Sequence, residues 1–598
     1  MMKCIGSCMA FLILSGMFAQ ERASWMPEEA SGGRESEGGE RILLPVTRTA
    51  LPKKTADITK FTWTYTLELK KFNISKDGSH PEATSRGINE ALQYAKRKGF
   101  NRIIFPKGTY LVPENKPIVI DLKNTVIDFN GSTLTIVPNG QMNYSIVQVV
   151  QGAEHLRLTN GIIRGDRHKH DYKTQKGTHE GGTGLSLVSG RELEIDHMTF
   201  LDCTGDGVGV SSMGTRTRSE LLARIFMRIY PKKHLESGGF NDRGEKIPSE
   251  EKTRTSAPID MTKFEEEFEI GYLGGYQGFP FVLGRVFQVL FYDKDGKFLE
   301  KRKCLQYRKI RRPANALFMN LEFNQPEISD QPFHSGAAAN SWVLSINNFL
   351  PPVDVHFHHN RMSGNRRLGL ALCGGQRWII EHNEFSGNGG TAPAYGVDLE
   401  DGWELVYDIV FRDNVFRGNA GGSLVVCAGS ELLFERNLFE STPKHVNRIV
   451  FYGRAYRYFF LNNIVRGGTV SFGSRTGIAT IAGNTYENCS LFRITYDNKG
   501  VADGLYRKNK TDIVKTPPLV LKNEKLVNVK KLGGTYISFE NSLIDHVQAE
   551  AAKDTKLISF TNCTILDSTL RFLSDRNGIT VRFGKNKGAF QIQEQPVR

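Results

Sequence analysis

The sequence predicts an all-β fold: a right-handed parallel β-helix with an N-terminal capping helix and an inserted antiparallel β-sandwich. Short apolar strands recur along most of the chain, and each ends in Asn, Gly or Asp. One strand ending repeats as VHFHHNRM, WIIEHNEF, IVFRDNVF, LLFERNLF, FFLNNIV and IAGNTY, with asparagines 23, 31, 23, 26 and 21 residues apart. A period in the twenties with short strands is typical of a solenoid, and the LxxLxL spacing of leucine-rich repeats is absent.

The repeated asparagines are expected to form a column. Equivalent side chains of successive coils in a parallel β-helix stack about 4.8 Å apart. A ladder of amides would then satisfy backbone groups of the turns, which is a structural role rather than a catalytic one. Its members are Asn360, Asn383, Asn414, Asn437, Asn463 and Asn484.

A second strand type precedes each asparagine strand and is often entered through glycine. It reads GTGLSLV, GDGVGVS, RRLGLAL, AYGVDLE and GGSLVV. Strand alternation places every second residue inward. The inward positions are predicted to be Val208, Val210, Leu370, Leu372, Val397 and Leu399.

The N-terminal segment predicts secretion. Residues 1–19 are interpreted as a signal peptide, because Lys3 precedes an apolar run over 5–18 that is too short for a good membrane span. An uncleaved anchor is the alternative. Residues 20–60 lack hydrophobic periodicity and are interpreted as a flexible leader. The expected location is extracellular, and no later segment is apolar for long enough to span a membrane.

The remaining chain divides into three parts. Residues 61–212 are predicted to form parallel β-helix with an N-terminal cap, whose helix carries apolar residues at i, i+3, i+4 and i+7 before Gly99. Residues 213–350 interrupt the repeat and are interpreted as a β-sandwich-like insertion, with Asp295-Gly296 as a hairpin signal. Its aromatic residues suit either a core or a glycan-binding face. Residues 351–598 continue the β-helix and end in a cap.

Charge favours an anionic partner. The chain has a formal net charge of +14 and a pI of about 9.2. Nucleic acid, an anionic lipid surface and an acidic glycan would each fit, and so would a surface charge that serves solubility alone. The basic residues are dispersed and no nucleic-acid module is visible, so we expect no nucleic-acid partner. Two of the eight cysteines, Cys4 and Cys8, lie in the predicted signal peptide, and the other six are scattered without a CxxC pair, which argues against a zinc site and a disulfide framework.

Polar residues are concentrated where four strands of the second type begin. If the insertion leaves and re-enters one coil, the strands starting at Thr183, Asp206, Arg367 and Tyr395 are consecutive, and their edges span about 14 Å. Motifs GTHEGGTG, TGDGV, NRRLG and YGVDLEDG lie on this edge, and RGDRHKHDY precedes it. The candidate site residues in these motifs are His170, Asp171, His179, Glu180, Asp206, Arg366, Arg367, Tyr395, Asp398, Glu400 and Asp401.

The carboxylates of this set suit acid–base chemistry or metal binding. Asp398 and Glu400 are two apart on a strand, so both face outward with α-carbons about 6.6 Å apart. Paired carboxylates act as acid and base in glycoside hydrolysis. Asp206 would lie two coils from Asp398 and could supply a third carboxylate. Asp398, Glu400 and Asp401 could equally hold Ca²⁺, whose ligands are oxygens. No other cofactor is predicted.

The remaining candidates suit an acidic sugar. Arg366 and Arg367 could clamp a uronate carboxylate. His179 or Tyr395 could then move the proton α to that carboxylate, giving β-elimination or epimerisation. Further substrate-binding candidates are His170, Asp171 and Glu180.

Structural alternatives exist for these motifs. Asp206 in GDG could be a turn residue, and the two arginines could be solvated or pair with Asp398. Glu400 and Asp401 could belong to a polar loop. Three further histidines alternate like metal ligands but lie in the asparagine-ladder strands, so we interpret them as structural: His356, His358 and His359.

Two sets of motifs resemble a known superfamily. DGSHPEATSRGINEAL with FPKGTY resembles the start of pectate-lyase-superfamily β-helix proteins, including tailspike-like members of phages and prophages. RGDRHKHDY, GTHEGGTG, GDG, NRRLG and YGVDLEDG together resemble one subgroup in Firmicutes and their prophages that also carries an insertion after the GDG strand. The resemblance covers about residues 70–490 and implies a β-helix that acts on polysaccharide.

The superfamily includes lyases, hydrolases and epimerases, so the fold does not fix the reaction. The paired-aspartate signature of polygalacturonase-like hydrolases is not matched cleanly. The aspartate-proline-histidine motif of mannuronan epimerases is absent, because Leu399 and Glu400 follow Asp398.

The resulting hypothesis is a secreted enzyme that cleaves an acidic polysaccharide by β-elimination or glycoside hydrolysis. The alternative is a non-catalytic glycan-binding, adhesive or structural β-helix. The oligomeric state is left between monomer and homotrimer, since the sequence carries no coiled-coil signal.

Overall fold

The computed structural model describes residues 62–211, 225–229, 231–271, 286–305, 308–324, 344–347, 352–400, 406–427, 429–452, 455–474, 479–496, 519–573 and 578–594. The predicted signal peptide and leader lie outside these residues. A 37-stranded parallel sheet winds through the chain as a right-handed β-helix, which confirms the predicted fold class. Each coil contributes strands to as many as three faces, named A, B and C below.

Face A holds the strands of the glycine-entered type. They are Ile118–Ile120, Asn143–Val149, Gly181–Leu187, Val208–Val210, Leu370–Leu372, Tyr395–Leu399, Gly422–Val426, Arg448–Phe451, Leu532–Gly534, Gln548–Ala551, Thr569–Phe572 and Gln591–Glu594.

Face B precedes the asparagine turn. Its strands are Thr64–Thr66, Arg102–Ile104, Pro352–His358, Gly375–Glu381, Val406–Arg412, Ser430–Glu435, Tyr456–Leu461, Ala479–Ala482, Leu521–Lys522, Tyr536–Glu540, Leu557–Thr561 and Thr580–Phe583.

Face C follows that turn. Its strands are Thr109–Val112, Arg361–Ser363, Glu384–Ser386, Val415–Arg417, Leu438–Glu440, Lys525–Val527, Leu543–Asp545 and Thr564–Leu566. Longer strands pass from one face to the next, from B to C in Lys123–Ile136, Glu154–Arg164 and Gly190–Leu201, and from C to A in Ile464–Ser474 and Thr485–Tyr496.

The N-terminal end of the solenoid is covered by one helix, Pro81–Lys98. Its apolar stripe, Ile88, Ala91, Leu92 and Ala95, is buried in the same core as the coils. Gly99 ends the helix in the left-handed conformation at φ 77°, where its N–H reaches the carbonyls of Ala95 and Lys96. The predicted capping helix is therefore confirmed.

The asparagine ladder is confirmed. Asn360 N donates to Asn383 Oδ1 at 2.9 Å, and the same contact repeats coil by coil until Asn463 N meets Asn484 Oδ1 at 2.8 Å. Each amide also donates to a strand carbonyl, as Asn414 Nδ2 does to Ile380 O at 2.9 Å. The buried turns between faces B and C thus have their backbone groups paired. A second, shorter ladder after face C was not predicted: Asn365, Asn388 and Asn419.

Apolar stacks fill the solenoid. The residues predicted to point inward on face A, such as Val208, Leu370 and Val397, are 0% exposed. Phe385, Phe416 and their neighbour Phe439 stack with ring centroids 4.7 Å apart. This continuous core positions the outward residues of successive coils in register.

The insertion consists of antiparallel sheets and lies between Val210 and Pro352. It also contains a four-residue helix, Pro231–His234. Its strands are Ile225–Ile229, Leu235–Ser237, Gly239–Phe240, Lys246–Ile247, Thr253–Thr255, Ile259–Asp260, Glu267–Gly271, Val286–Tyr292, Phe298–Leu305, Ile310–Arg311, Phe318–Phe323 and Leu344–Asn347. Val286–Tyr292 and Phe298–Leu305 form the predicted hairpin, with Gly296 at φ 76° in its turn.

The insertion packs against the starts of the face B strands. Arg308 Nη2 contacts Asp354 Oδ1 at 3.0 Å, and Lys309 Nζ contacts Glu154 Oε2 at 3.1 Å. Tyr407 of face B joins the insertion's apolar core. Among the described residues, no helix has both the length and the apolar character that a membrane span needs.

Candidate functional site

The four strands predicted to be consecutive are neighbours on face A. Gly181–Leu187 pairs with Val208–Val210, which pairs with Leu370–Leu372, which pairs with Tyr395–Leu399. Val208 lies directly opposite Leu370 although the insertion separates them in sequence. The insertion therefore leaves and re-enters within one coil, as the site hypothesis required.

Asp398 stands in a column of small outward residues. Ser186, Gly209 and Ala371 occupy the same register position on the three preceding coils, and Val425 follows. Gly209 and Ala371 carry almost no side chain, so no large side chain stands beside Asp398 in this column on the two preceding coils, although Ala371 is only 5% exposed. Asp398 itself is only 5% exposed.

Arg367 connects the acids of the earlier coils. Its Nη1 lies 2.9 Å and 3.2 Å from the two oxygens of Asp206, and its Nε lies 3.5 Å from Glu180 Oε2. Asp206 is buried, and desolvation raises its pKa to about 6 even though Arg367 opposes the shift. The pKa of Arg367 is raised by Asp206, then Glu180 and Asp398, against its own desolvation. Arg367 is thus a fixed cation between carboxylates.

Asp398 and Glu400 form a close acidic pair next to Cys427. One ligand atom from each of the three residues lies within 4.8 Å of the others, and Cys427 Sγ is 3.8 Å from Asp398 Oδ1. Burial first, and the nearby Glu400 carboxylate second, raise the pKa of Asp398 well above its usual range. Both effects favour the protonated form of Asp398, as expected for one member of a close carboxylate pair.

The predicted Ca²⁺ set is present only in part. Asp398 and Glu400 supply two carboxylates, whereas the third group in reach is the thiol of Cys427. Calcium takes six to eight oxygen ligands. Asp401 lies outside the described residues, so the three-carboxylate site stays a prediction.

Tyr395 begins its strand two coils after Asp206. It pairs in register with Gly422, and a Cβ added at Gly422 would meet Tyr395 Cε1 at 2.5 Å. The ring therefore lies over the glycine of the next coil. Burial raises the pKa of the Tyr395 phenol, so it is a proton donor rather than a base at neutral pH.

Asp166 is the centre of a buried polar network below face A. Its side chain is 1% exposed. Oδ1 accepts hydrogen bonds from Tyr144 Oη at 2.5 Å and Thr204 Oγ1 at 2.7 Å. Oδ2 accepts from the Asn139 backbone N–H at 3.0 Å and from its amide at 3.1 Å. Tyr144, Thr204 and Asn139 thus supply four hydrogen-bond donors to this carboxylate.

Two buried histidines continue from Asp166. His170 Nδ1 lies 2.8 Å from Asp166 Oδ2, His170 Nε2 lies 2.9 Å from His179 Nδ1, and His179 Nε2 lies 2.9 Å from Gln175 O. The two imidazoles therefore form a continuous chain of polar contacts from the Asp166 carboxyl group to the Gln175 carbonyl.

The two histidines predicted as site residues are therefore buried, and their ring nitrogens contact other protein groups. Every ring nitrogen of His170 and His179 has a partner. Substrate contact by His170 and proton transfer by His179 stay predictions, and both would require this network to open. The RGDRHKHDY motif, which contains Asp166 and His170, was predicted to lie beside the site, whereas Tyr144 and Thr204 were not predicted to be part of it.

Tyr144→Phe should cost about 2 kcal/mol of unfolding free energy, because it removes a hydrogen bond to a buried charged group. Urea denaturation midpoints measure the loss. Tyr172→Phe is the matched control: its hydroxyl donates to the neutral Arg167 carbonyl at 2.8 Å, so we expect about 1 kcal/mol or less. Equal losses in the two variants would show that the hydrogen bond to the Asp166 carboxyl group contributes no more than one to a backbone carbonyl.

Arg366 lies at the margin of the site. Its Nη1 donates to Thr178 O at 2.7 Å, and its guanidinium lies 4.4 Å from the centre of the Tyr172 ring. Among the described residues it forms no salt bridge with a carboxylate, unlike Arg367. Asp171 is exposed and accepts from the backbone N–H groups of Lys173 and Thr174, so it shapes the loop beside Tyr172.

The class of fold is matched by one family model. A model described as "Right handed beta helix region" matches residues 344–465. That range contains Arg366, Arg367 and Asp398, together with most of the asparagine ladder.

Two curated proteins of Bacillus subtilis (strain 168) are similar in sequence. "Uncharacterized protein YclG" is 29% identical over 169 residues, which is 26% of this chain and 28% of that protein. "SPbeta prophage-derived uncharacterized protein YorA" is 27% identical over 172 residues, 25% of this chain and 28% of its own length. The matched segment is thus little more than a quarter of either relative.

Several solved β-helix structures are remotely similar. The mannuronan C-5 epimerase AlgE6 A-module of Azotobacter vinelandii aligns at a TM-score of 0.39 and 10% identity, over 89% of this chain and 100% of that one. The catalytic unit of an alpha-1,3-glucanase from Streptomyces thermodiastaticus gives 0.37 and 10%, over 88% and 69%. A tailspike protein of E. coli bacteriophage HK620 in complex with pentasaccharide gives 0.38 and 9%, over 94% and 83%. No shared activity follows from likenesses this remote.

Proposed function

We propose that the protein is a secreted enzyme that hydrolyses glycosidic bonds in an acidic polysaccharide on face A. The observation that carries the proposal is the placement of Asp206, Arg367, Asp398 and Glu400 on adjacent coils beside the small residues Gly209 and Ala371. When the surroundings of two carboxyl groups separate their pKa values, one can act as the general acid and the other as the general base at the same pH.

Asp398 is the general acid of this proposal. It keeps its proton because it is buried and lies next to Glu400, and protonation of the leaving oxygen is the step that glycoside hydrolysis demands. The nearby Glu400 carboxylate favours the protonated form of Asp398.

Asp206 is the general base. Desolvation raises the pKa of Asp206 to about 6, and Arg367, which contacts both of its oxygens, limits that rise. Asp206 can therefore accept a proton above about pH 6. Two coils, about 10 Å across the strands, separate Asp206 from Asp398, and Asp206 also lies three residues before Gly209, the residue in register with Asp398. The two carboxyl groups are therefore not directly opposite each other, and a long separation suits a base that acts through a water molecule, as in inverting glycosidases.

Hydrolysis is favoured over β-elimination because Arg367 is already paired with two carboxylates of the protein. An elimination needs a cation that neutralises the uronate carboxylate, and Arg367 is already paired with Asp206 and Glu180. Arg366 is the cation left for a substrate carboxylate, and it would bind the sugar chain rather than activate it.

A glycan panel tests the proposal. The protein is incubated with uronate-containing and neutral polysaccharides, with and without Ca²⁺, and both reducing ends and unsaturated uronate absorbance are followed. New reducing ends without absorbance support hydrolysis, and rising absorbance would replace it with β-elimination. Binding without either signal would support the glycan-binding alternative. NMR of the first anomer formed then separates Asp206 as base (inversion) from Glu400 as nucleophile (retention).

The pH dependence of kcat/KM should be bell-shaped. Activity should rise as pH increases through about 6, because Asp206 must lose its proton to act as a base. It should fall at higher pH, when Asp398 ionises and can no longer donate. Initial rates across a buffer series measure both limbs. Asp206→Asn should remove the acidic limb along with most of the rate, and an unchanged acidic limb in the residual activity would contradict this assignment.

Arg366→Ala should raise KM about tenfold with kcat nearly unchanged, since the guanidinium contributes equally to substrate and transition-state binding. Steady-state rates on the glycan found by the panel measure the effect. Arg361→Ala, an exposed arginine on face C, is the control and should leave both constants unchanged. A fall in kcat without a change in KM would place Arg366 in the chemical step instead.

A further inference from the structure

A second cluster of ionisable groups lies on face B, away from the candidate site on face A. His356 and His358 project outward from one strand, and their ring centroids are 3.9 Å apart. Glu194, on the coil before the insertion, is directly opposite His356. One ligand atom from each of the three residues lies within 4.8 Å of the other two.

We propose that Glu194, His356 and His358 bind a divalent transition-metal ion, with Zn²⁺ as the reference metal. Two imidazoles and one carboxylate form a common three-residue ligand set for zinc, which leaves a fourth position for water or another ligand. Calcium is excluded by the chemistry of the ligands, because it takes oxygen rather than imidazole nitrogen.

The surroundings of the cluster favour a cation. His358 Nε2 is 3.2 Å from Glu194 Oε1, and His356 Nε2 is 2.7 Å from Glu381 Oε1. A carboxylate oxygen thus already lies beside the Nε2 atom of each histidine. Arg157 is directed mainly at Asp196, at 2.6 and 2.8 Å, and lies farther from Glu194 Oε1, at 3.7 Å.

The net charge of the cluster also permits a divalent ion. Three carboxylates (Glu194, Asp196 and Glu381) face two guanidinium groups (Arg157 and Arg412). With neutral imidazoles, the local charge is therefore negative by one unit, and a divalent ion does not have to displace either arginine.

A neighbouring histidine can fix the tautomer that metal binding needs. His358 Nδ1 and His359 Nδ1 are 2.8 Å apart, so one of them donates to the other. When His358 binds a metal through Nε2, its Nδ1–H donates to His359. Ligand histidines in metal sites are typically oriented by such a hydrogen bond.

The site would join the two halves of the solenoid. Glu194 precedes the insertion and the two histidines follow it, although they are adjacent in the sheet. A metal held by both coils would clamp the point at which the chain leaves and returns. Zn²⁺ should therefore raise the thermal midpoint of the whole protein.

The test uses the full chain, stripped with a chelator and titrated with ZnCl₂ against a chromophoric competitor. We expect one tightly bound equivalent, a higher melting temperature with Zn²⁺, and visible d–d bands of four-coordinate Co²⁺ after Co²⁺ replacement. His356→Gln and His358→Gln should each lose the equivalent and the Co²⁺ bands. Glu194→Gln keeps the shape of the side chain and should weaken binding, which covers the case of a histidine variant that does not fold.

Two controls make the outcome specific. His382→Gln removes a neighbouring histidine that stacks on His359 at 5.0 Å but is not in the ligand set, and it should keep the equivalent. The double variant Asp398→Asn/Glu400→Gln should keep it too, since that pair lies on face A. Absence of stoichiometric Zn²⁺ binding in the wild-type protein, or its survival in His356→Gln/His358→Gln, would overturn the proposal.

Discussion

Asp398→Asn should lower kcat by a factor of about 10² to 10⁴ and leave the affinity for glycan nearly unchanged. The amide matches the carboxylic acid in shape but cannot give up a proton, so the leaving oxygen would depart unprotonated. Binding should survive because burial and Glu400 raise the pKa of Asp398 well above the usual range and so favour the uncharged acid, which the amide resembles. Single-turnover rates and calorimetric titration with the same oligosaccharide separate the two quantities.

A matched control for this variant is Glu384→Gln on face C. Glu384 is a half-buried carboxylate on the strand that precedes Tyr395–Leu399 in the same coil, and its loss should change neither kcat nor affinity. Full turnover in Asp398→Asn would remove Asp398 from the chemistry. A loss of affinity as large as the loss of rate would indicate instead that Asp398 is ionised and binds a cationic or hydrogen-bonding group of the ligand.

The solenoid and its register could be predicted because they depend on local patterns. Alternation identified Val208, Leu370 and Val397 as inward residues, and all three are fully buried. The spacing of the asparagines identified the ladder. From these two patterns, and the assumption that the insertion returns to its own coil, the adjacency of Asp206, Arg367 and Asp398 followed without any contact information.

The partners within the site could not be predicted, since they depend on loop conformation and on lateral neighbours. Arg367 reaches back to Asp206 rather than toward solvent. His170 and His179 sit in a segment without periodicity, and nothing in its sequence indicated that it folds over Asp166. Val425 is in register with Asp398 on the next coil. Cys427, two residues after Val425, therefore comes into line with Glu400 and lies next to Asp398. The register, once known, would have revealed this contact.

Asn414→Ala should destabilise the solenoid by about 4 kcal/mol, the sum of two or more buried groups left without partners. Asn414 Oδ1 accepts from the backbone N–H and from the amide of Asn383, each at 3.0 Å. Its Nδ2 donates to Ile380 O and to Asn437 Oδ1, each at 2.9 Å. Alanine removes all four hydrogen bonds in a turn that water does not reach. The midpoint of urea unfolding measures the loss.

A natural serine in the ladder suggests a substitution of intermediate effect. At the corresponding position of a later coil, Ser542 Oγ accepts from the Glu524 backbone N–H at 3.1 Å, so a hydroxyl can make the ladder's backbone contact without the amide's other bonds. Asn414→Ser should therefore lose less than Asn414→Ala, and exposed Arg417→Ala on the same coil should stay within about 0.5 kcal/mol of the wild-type protein. If serine and alanine cost the same, the stability would come from stacking of the amides along the column and not from the backbone N–H that each one satisfies.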